Sequence, residues 1–456
     1  MLKKLTSASQ RVSQKLSPGL RKIILSVGWL SAERVLSMIV NLTIGIYVIR
    51  YLGASDFGLL SYSLSFVGLF VALTSLGLES IVLRNLLQAE QQETAEILGT
   101  AFVLKTFGSL VTFIIVNYII WNGENSNQLN WIIIIFTLGY LVRSFDVIDF
   151  WFKSKVLAGE IAKVRVVKII LSSLAKLVFI ALKLPLIAFV WLVVIDLILI
   201  AGGMIWIYGK QNQSIFNWGF KGAQALNMLK DAWPLLLSGV MIDVYMKIDQ
   251  VMLGEMSSNE AVGNYAAAVR FSEVWHFLPV AICASVFPAI LRAKGQSKKQ
   301  YYGKLQQLYD LMAWLSLAIA VPMVFIAIPL ISTLLGEDYV EAGKILVWHI
   351  WASPFVFLGV ASSQWLVAEN FTKFAFVATL TGAITNIFLN LWLIPTNGAV
   401  GAAIATIIAH AVVSHLICLF HPKMFKTGWM LTKALFIPLR VKQNLVYLRK
   451  LKEIFS

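Results

Sequence analysis

The chain has 456 residues, of which 59% are hydrophobic and only 13% are charged. Soluble domains carry about 25% charged residues, so this composition excludes an ordinary soluble domain and indicates a polytopic membrane protein. The formal net charge of +15 would suit a nucleic-acid-binding protein, but the positions of the basic residues, given below, explain it without nucleic acid. The two cysteines, Cys283 and Cys418, lie in apolar segments and predict neither a disulfide framework nor a metal site.

Apolar stretches long enough to cross a bilayer recur along the whole chain. A hydrocarbon core about 30 Å thick requires about 20 residues of helix. The boundary between the fifth and sixth of these stretches rests on Lys183 and Pro185 alone. The pattern predicts an all-α polytopic membrane protein with about twelve transmembrane helices. The predicted spans are 23–50, 58–84, 98–121, 131–152, 164–183, 186–208, 233–255, 263–290, 309–335, 344–368, 371–394 and 398–420.

Basic residues are concentrated in alternate loops. Lys and Arg cluster in the N-terminal segment, in every second loop and in the C-terminal tail, whereas the intervening loops hold only Arg50, Lys183 and Lys344. The positive-inside rule gives this asymmetry for an even number of spans with both termini in the cytoplasm. We therefore predict a multi-pass protein of the cytoplasmic (inner or plasma) membrane, whose basic residues contact anionic lipid headgroups rather than nucleic acid.

Two external turns punctuated by glycine indicate an internal repeat. In the first half Gly53 ends a span and Gly58 opens the next, and in the second half Gly254 and Gly263 take those places. Each turn follows the first span of a six-helix half, so the halves would be inserted the same way round, as a parallel repeat. The alternative is that such turns recur by chance. The predicted domains are a basic cytoplasmic N-terminus 1–22, an N-terminal lobe 23–208, a cytoplasmic amphipathic linker 209–232, a C-terminal lobe 233–420 and a basic cytoplasmic tail 421–456.

Three segments carry a resemblance to a known family. RYLGASDFGLLSYSLSF at 50–66, KIDQVMLG at 247–254 and VGNYAAAVRFSEVWHFLPVAICASVFPAI at 262–290 resemble the Wzx/RfbX-type polysaccharide-biosynthesis flippases of the multidrug/oligosaccharidyl-lipid/polysaccharide exporter superfamily. The resemblance extends in spacing over the whole chain. It implies two six-helix lobes around a central cavity lined chiefly by spans 1, 2, 7 and 8, and it favours a monomer. It also implies translocation of a polyprenyl-pyrophosphate-linked oligosaccharide from the cytoplasmic to the outer leaflet.

Cations lie inside the predicted spans 1, 7 and 8, where a charge costs at least about 2.5–3.5 kcal/mol on insertion scales. Arg34 lies near the middle of span 1, and its neighbour Glu33 points about 100° away, so the two do not neutralise each other. Lys247 in span 7 and Arg270 in span 8 are the other cations. We predict that these three cations line a wet cavity and bind the pyrophosphate. The alternative is that each pairs with an acid on another helix.

Acidic residues accompany these cations. Asp243 lies four residues before Lys247 on the same helix face and is expected to pair with it, which leaves Asp249 in need of another partner. Arg270 and Glu273 are three residues apart and are expected to pair on a solvated stripe, with a dry interhelical network as the alternative. The predicted coupling residues, which would take up protons or a counter-ion and reset the charge of the cavity in each cycle, are Glu33, Asp249 and Glu273.

A second group of charges lies in spans 4, 5 and 6. Arg143, Asp146 and Asp149 follow one another at three-residue spacing and form one stripe. Lys176 and Asp196 lie near mid-depth without a partner close in sequence. We predict a Lys176–Asp196 bridge inside the first lobe, with an Arg143–Asp146 pair beside it. The alternative is a second polar chamber in that lobe.

Three further observations limit what the chain can do. Lys105 lies six or seven residues from the predicted cytoplasmic end of span 3 and is expected to extend to the headgroups. The tail from 423 to 456 is expected to form an amphipathic surface helix rather than a further span. The sequence contains no phosphate-binding GxxxxGK[ST] loop and no soluble domain large enough for a catalytic site. We therefore predict that the chain is not an enzyme and uses no cofactor or metal.

The predicted function is the flipping, by alternating access, of a lipid-linked oligosaccharide for the synthesis of O-antigen lipopolysaccharide or exopolysaccharide. The expected partners are this substrate, membrane lipids and proteins of polysaccharide polymerisation and assembly. Two other functions stay open: a drug or cation antiporter of the same superfamily, and a non-transporting membrane scaffold of a polysaccharide assembly complex. Dry, fully paired internal charges would favour the scaffold, and an acidic cavity without excess cations would favour the antiporter.

Overall fold

The computed structural model describes residues 18–90, 93–123 and 126–447, which are almost entirely helical and contain no β-strand. The predicted all-α fold class is confirmed. Most of the predicted N-terminal segment and the last nine residues of the tail lie outside the described residues. The α-helices are α1 (Pro18–Gly68), α2 (Val71–Ser75), α3 (Glu79–Gln88), α4 (Glu93–Trp121), α5 (Asn127–Leu141), α6 (Val147–Ser154), α7 (Ala158–Ala181), α8 (Leu186–Lys210), α9 (Gly222–Met256), α10 (Asn259–Glu273), α11 (Phe277–Gln296), α12 (Lys298–Leu335), α13 (Val340–His349), α14 (Ser353–Ala368), α15 (Thr372–Ala411), α16 (Ile417–Phe420) and α17 (Phe425–Leu435).

Contacts divide the chain into two compact units. Of the described residues, unit 1 contains those up to Val48 and those from Phe70 to Val240, and unit 2 contains Ile49–Leu69 and those from Met241 onward. The chain therefore passes between the units three times: within α1, between Leu69 and Phe70 just after α1, and within α9. The second half of α1, which sequence order assigns to the N-terminal lobe, packs with unit 2. The lobe and linker boundaries read from the sequence remain predictions.

The long helices account for the predicted membrane spans. Two of them, α1 and α15, bend at Gly53 and Gly398, where the backbone leaves helical geometry. The first predicted span lies before the bend in α1, and the bend in α15 separates the last two predicted spans. Helices α7 and α9, of 24 and 35 residues, are long enough to cross but carry internal charges. Eight segments of the described chain are both long and apolar enough to cross a bilayer: Gly28–Gly68, Glu93–Trp121, Asn127–Ser154, Leu186–Lys210, Asn259–Gln296, Lys298–Leu335, Glu337–Ala368 and Lys373–Phe420.

The second predicted span, 58–84, is interrupted in the structure. After Gly68 ends α1, the short α2 is followed by Leu76 at φ 51° and Gly77 at φ 66°, and α3 then begins. A side chain at position 77 would meet the backbone nitrogen of Leu236 at 2.6 Å. The break therefore occurs where the chain turns in the left-handed region, which favours glycine, and packs directly on α9 within unit 1.

Gly58 and Gly263, the two glycines that open spans in the predicted repeat, lie against each other's helices in unit 2. A Cβ atom at Gly58 would collide with the carbonyl of Asn259, and one at Gly263 would collide with the carbonyl of Ala54. Small residues allow helix backbones to approach closely in membranes, where packing rather than hydrophobic burial drives association. These glycines therefore have a packing role whether or not the repeat is real.

Each unit has its own packed core. In unit 1, Trp151 and Tyr208 meet edge to face, with ring centroids 5.1 Å apart, among buried leucines, isoleucines and valines. In unit 2 the fully buried aromatic residues include Tyr309, Phe357 and Trp365. These bulky side chains fill the spaces between helices and hold the polar groups described below in fixed positions.

The C-terminal tail folds back onto α12 of unit 2. Helix α17 has 11 residues, about 16 Å of helix, so it is too short to cross a bilayer; it buries one face and exposes Phe425 and Trp429. Beyond it, the Arg440 guanidinium lies 2.9 Å from the carboxylate of Asp310, and the Tyr447 hydroxyl donates to the same carboxylate at 2.6 Å. The tail is thus tied to the helix bundle by a buried acid.

Candidate functional site

The two predicted site residues of span 1 lie on α1 in unit 1. The Arg34 side chain is exposed and Glu33 is half-buried. The Glu33 carboxylate accepts a hydrogen bond from the Ser37 hydroxyl at 2.7 Å. Among the described residues neither side chain is in an ion pair, which agrees with the expectation that Arg34 and Glu33 do not neutralise each other.

Lys247 of α9, Arg270 of α10 and Glu273 of α10 are all exposed in unit 2. Lys247 is near enough to Glu273 to interact with its charge, although no ion pair forms between them. The expected Arg270–Glu273 pair is wrong: the Arg270 guanidinium lies instead over the ring of Phe57, 4.9 Å from its centroid. A cation over an aromatic face is stabilised without losing its charge, so Arg270 keeps its hydrogen-bond donors for another partner.

Asp249 has a different environment from the other predicted site residues, because its side chain is buried in unit 2 with 6% of the residue exposed. Its Oδ1 atom accepts from Asn390 Nδ2 at 2.6 Å, and its Oδ2 atom accepts from Thr406 Oγ1 at 2.7 Å and from the Tyr265 hydroxyl at 3.0 Å. No Lys or Arg of the described chain is within ion-pair distance of it. A carboxylate at membrane depth is thus held by neutral donors alone, which marks it as a functional candidate.

The partners of Asp249 come from distant parts of the sequence. Asn386 and Asn390 lie one turn apart on α15, and Asn390 Nδ2 also donates to Asn386 Oδ1 at 2.6 Å. Thr406 lies on the same helix beyond the bend at Gly398. The Oδ1 atom of Asn390 is buried without a partner, so the cluster contains an unused oxygen. We define the Asp249 cluster as Asp249, Tyr265, Asn386, Asn390 and Thr406.

Sequence reasoning did not identify the neutral members of this cluster, although a signal was present. Asn386 and Asn390 are spaced four residues apart within the apolar stretch TGAITNIFLNLWL, so they share a helix face. Two amides on one face of a membrane helix require a partner on another helix. A search for polar residues at helical spacing, rather than for charges alone, would have found them.

The charges of unit 1 are mostly paired. The expected Arg143–Asp146 contact is present, with Nε 3.7 Å from Oδ2. Asp149 lies 3.2 Å from both Lys153 and Arg165. These contacts join α6, α7 and the 3₁₀ turn before α6, so they brace the helices of this unit.

Two further charged residues of unit 1, Lys105 and Asp196, lie on α4 and α8. Lys105 does not extend to the headgroups, which corrects the prediction: only 5% of its side chain is exposed, and its Nζ atom lies 3.6 Å from Asp146. Asp196 contacts Lys168 at 3.8 Å and accepts from the Ser172 hydroxyl at 2.9 Å. The bridge between Asp196 and Lys176 stays a prediction.

The comparisons with known proteins agree with this fold. A family model described as "Polysaccharide biosynthesis protein" matches residues 23–294, more than half of the chain, and a second model, MatE, matches residues 234–392. The chain therefore belongs to the polysaccharide biosynthesis protein family. It is a multi-pass membrane protein, its named relatives are transporters and flippases rather than catalytic enzymes, and the resemblance to Wzx-type flippases is confirmed.

Relatives of described function are distant. The chain is 25% identical over 186 residues to a protein named "Putative O-antigen transporter" of Shigella dysenteriae, covering 41% of this chain and 46% of that one. It is 20% identical over 370 residues to a protein of Haloferax volcanii named "Probable low-salt glycan biosynthesis flippase Agl15", covering 80% and 76%. The match thus spans about half the length of the first relative and about three quarters of the second.

Solved structures share the fold. An inward-facing multidrug resistance MATE family transporter of the MOP superfamily superimposes with a TM-score of 0.68 at 13% identity, covering 90% of this chain and 98% of that one. The lipid II flippase MurJ in its inward closed conformation superimposes with a TM-score of 0.64 at 16% identity, covering 93% and 98%. Because the identities are this low, the likeness establishes the fold of this chain but does not identify its substrate.

Proposed function

We propose that this protein flips a polyprenyl-pyrophosphate-linked oligosaccharide across the cytoplasmic membrane, for the synthesis of O-antigen or exopolysaccharide. The physical problem is to carry a large polar head past about 30 Å of hydrocarbon while the prenyl chain stays in lipid. The family membership and the names of the distant relatives support a glycan lipid as the substrate. Both termini are proposed to be cytoplasmic.

The proposal rests above all on the surroundings of Lys247 and Arg270. Both side chains are exposed on helices of unit 2, within the predicted spans 7 and 8, and neither is in an ion pair among the described residues. A cation at membrane depth is costly unless it faces water or a partner. A pyrophosphate group supplies that partner transiently, because charge-assisted hydrogen bonds to phosphate oxygens are among the strongest that proteins form.

Arg34 is proposed to contribute in the same way. Its side chain is exposed on α1, and it has no ion-pair partner within the described ranges. An arginine offers five donors in a planar fork that matches two phosphate oxygens at once. We therefore retain Arg34, Lys247 and Arg270 as the substrate-binding cations.

The Asp249 cluster is proposed as the coupling site. Its carboxylate, its amide oxygens and its hydroxyls are the oxygen ligands that a hard cation prefers, and the carboxylate is equally able to take up a proton. Occupation of the cluster would neutralise Asp249, which among the described residues is a buried acid without a basic partner. Because a ligand shifts a conformational equilibrium only by binding one state better, the cluster would drive alternating access if its geometry changes with the state. Glu33 and Glu273 are retained as residues that balance the charge of the cations.

Surface-glycan complementation tests the proposal. The chain is expressed in a bacterium that lacks its own O-antigen or exopolysaccharide flippase, and surface glycan is measured. We expect the wild-type chain to restore glycan and Lys247→Ala and Arg270→Ala to reduce it by about tenfold or more, since a hydrogen bond to a charged group contributes about 1.5–3 kcal/mol.

The matched control is Lys344→Ala, because Lys344 is also an exposed lysine of unit 2 but already forms a pair with Glu341 at 2.6 Å. It should leave glycan export unchanged at equal membrane expression. Full export by both Lys247→Ala and Arg270→Ala would remove the cations from the mechanism.

A drug or cation antiporter is the second candidate. The MatE model matches residues 234–392, which include most of the Asp249 cluster. A cation-coupling cluster serves an antiporter as well as a flippase. Drug efflux conferred by the wild-type chain, abolished by Asp249→Asn but unaffected by Lys247→Ala and Arg270→Ala, would favour the antiporter.

A further inference from the structure

A polar cavity lies inside unit 1, formed entirely by residues of that unit. Its volume is about 600 Å³, within the range of about 300–1,000 Å³ found for small-molecule sites. It fits the second polar chamber that the sequence left as an alternative. Among the described residues, four bases and three acids line it, which gives one excess positive charge. The charged lining residues are Glu79, Lys105, Arg143, Asp146, Asp149, Lys153 and Arg165.

One part of this cavity has closely paired charges. Lys153 Nζ lies 2.7 Å from Glu79 and 3.2 Å from Asp149. Arg165 donates to Asp149 at 3.2 Å. Two acids and two bases therefore satisfy one another at hydrogen-bond distance, and this part of the lining needs no further ligand.

The other part contains two cations that share one acid at longer range. The Asp146 carboxylate lies 3.6 Å from Lys105 Nζ and 3.7 Å from Arg143 Nε, whereas N–H···O hydrogen bonds span about 2.7–3.2 Å. In the part of the chain that the structure describes, neither cation donates a hydrogen bond. The excess positive charge of the cavity is therefore located at Lys105 and Arg143.

Lys105 makes this arrangement costly in the absence of a ligand. Only 5% of its side chain is exposed, and its Nζ atom lies 5.2 Å from the centroid of the Phe150 ring. An ammonium group has three donors and no acceptor, and burying it without hydrogen bonds is strongly unfavourable. A ring face offsets part of that cost, but it accepts no conventional hydrogen bond.

We propose that this cavity is an anion-binding site in which Lys105 and Arg143 together hold a phosphate-type oxyanion. Such an anion offers several acceptor oxygens, enough for the donors of both cations, and its charge balances the excess of the lining. Basic pockets between membrane helices on the cytoplasmic side are suited to phosphate-containing headgroups. Both a lipid phosphodiester and free phosphate have this chemistry. The inference does not depend on the proposed flipping activity or on its substrate-binding cations.

Calorimetric titration of the purified full chain in an uncharged detergent tests the site. One arm uses inorganic phosphate and the other uses a short-chain phosphatidylglycerol below its micelle concentration. We expect saturable binding in at least one arm: binding of phosphate alone assigns a free anion, and tighter binding of phosphatidylglycerol assigns a lipid headgroup. Lys105→Met and Arg143→Gln should each weaken binding by about tenfold or more.

The matched control is Lys163→Met, which removes a lysine of the same unit that pairs with Glu160 at 2.6 Å and does not line this cavity. It should leave the affinity unchanged. If Lys105→Met does not fold, Arg143→Gln decides, because a third of the Arg143 side chain is already exposed. No saturable binding by the wild type in either arm, or full affinity in Arg143→Gln, would overturn the proposal.

Discussion

Asp149 of unit 1 and Asp249 of unit 2 are both buried acids on helices, with 7% and 6% of the residue exposed. Asp149 lies 3.2 Å from each of two cations, Lys153 and Arg165. Asp249 has three hydrogen-bond donors at 2.6–3.0 Å, all of them neutral. The two acids are thus almost equally buried, but Asp149 is neutralised by cations whereas Asp249 is held by neutral donors.

The difference indicates which acid is structural. A paired acid is neutralised permanently, and breaking such a pair destabilises the fold because a charge is left alone. An acid held by neutral donors keeps its negative charge available to a proton or a cation. We therefore assign bracing of the helices to Asp149 and coupling to Asp249.

Asp249→Asn should have the largest effect on transport. Asparagine has nearly the same shape and can still accept from Thr406 and Tyr265, but it carries no charge to attract a cation and cannot be protonated. We expect glycan export to fall by about tenfold or more, the loss that corresponds to about 1.4 kcal/mol, while membrane expression is kept. Normal export at equal expression would show that the Asp249 cluster is only structural.

Asp149→Asn should act on stability rather than on transport. The substitution removes the negative charge that Lys153 and Arg165 both contact. Each of these side chains is about one third exposed, so solvent screens the two positive charges and reduces the loss of stability. We expect the free energy of unfolding to fall by about 1–3 kcal/mol, measured by thermal unfolding in detergent. The protein that remains folded should export glycan normally; loss of export without loss of stability would contradict the assignment.

The tail contact should show the smallest effect. Asp310 is buried with 1% of the residue exposed, and Arg440, which lies 2.9 Å from it, is about one quarter exposed. Because Gln306 and Tyr447 also donate to Asp310, Arg440→Gln should lower stability by only about 1 kcal/mol. Limited proteolysis should then cut the tail faster, whereas Lys442→Gln, at an exposed position of the tail, should behave like the wild type.

The sequence predicted the fold well, because length and apolar composition determine membrane helices almost directly. The break between the fifth and sixth spans, resting on Lys183 and Pro185, was confirmed by the end of α7 at Ala181 and the start of α8 at Leu186. The break in the second span was missed, because a left-handed turn at Leu76 depends on packing against α9, which the local sequence does not reveal.

The candidate site was predicted less completely. Asp249 was identified from its charge, but Asn390 and Thr406 lie 141 and 157 residues away, and no local pattern links them to it. Lys105 was misplaced because its distance from a helix end suggested an extended side chain, whereas the structure places Asp146 and Phe150 beside it. The direction of the Lys105 side chain therefore depends on the residues that surround it in the folded protein, and not on its distance from the end of the span.

The central claim, that Lys247 and Arg270 help a pyrophosphate-linked glycan lipid cross the membrane, is tested most directly by reconstitution. Proteoliposomes containing the purified chain and a fluorescent polyprenyl-pyrophosphate glycan are assayed for movement of the label between leaflets. We predict transport by the wild type and by Lys344→Ala, and at least about tenfold slower transport by the Lys247→Ala/Arg270→Ala double variant. Transport by that double variant at the wild-type rate would contradict the account.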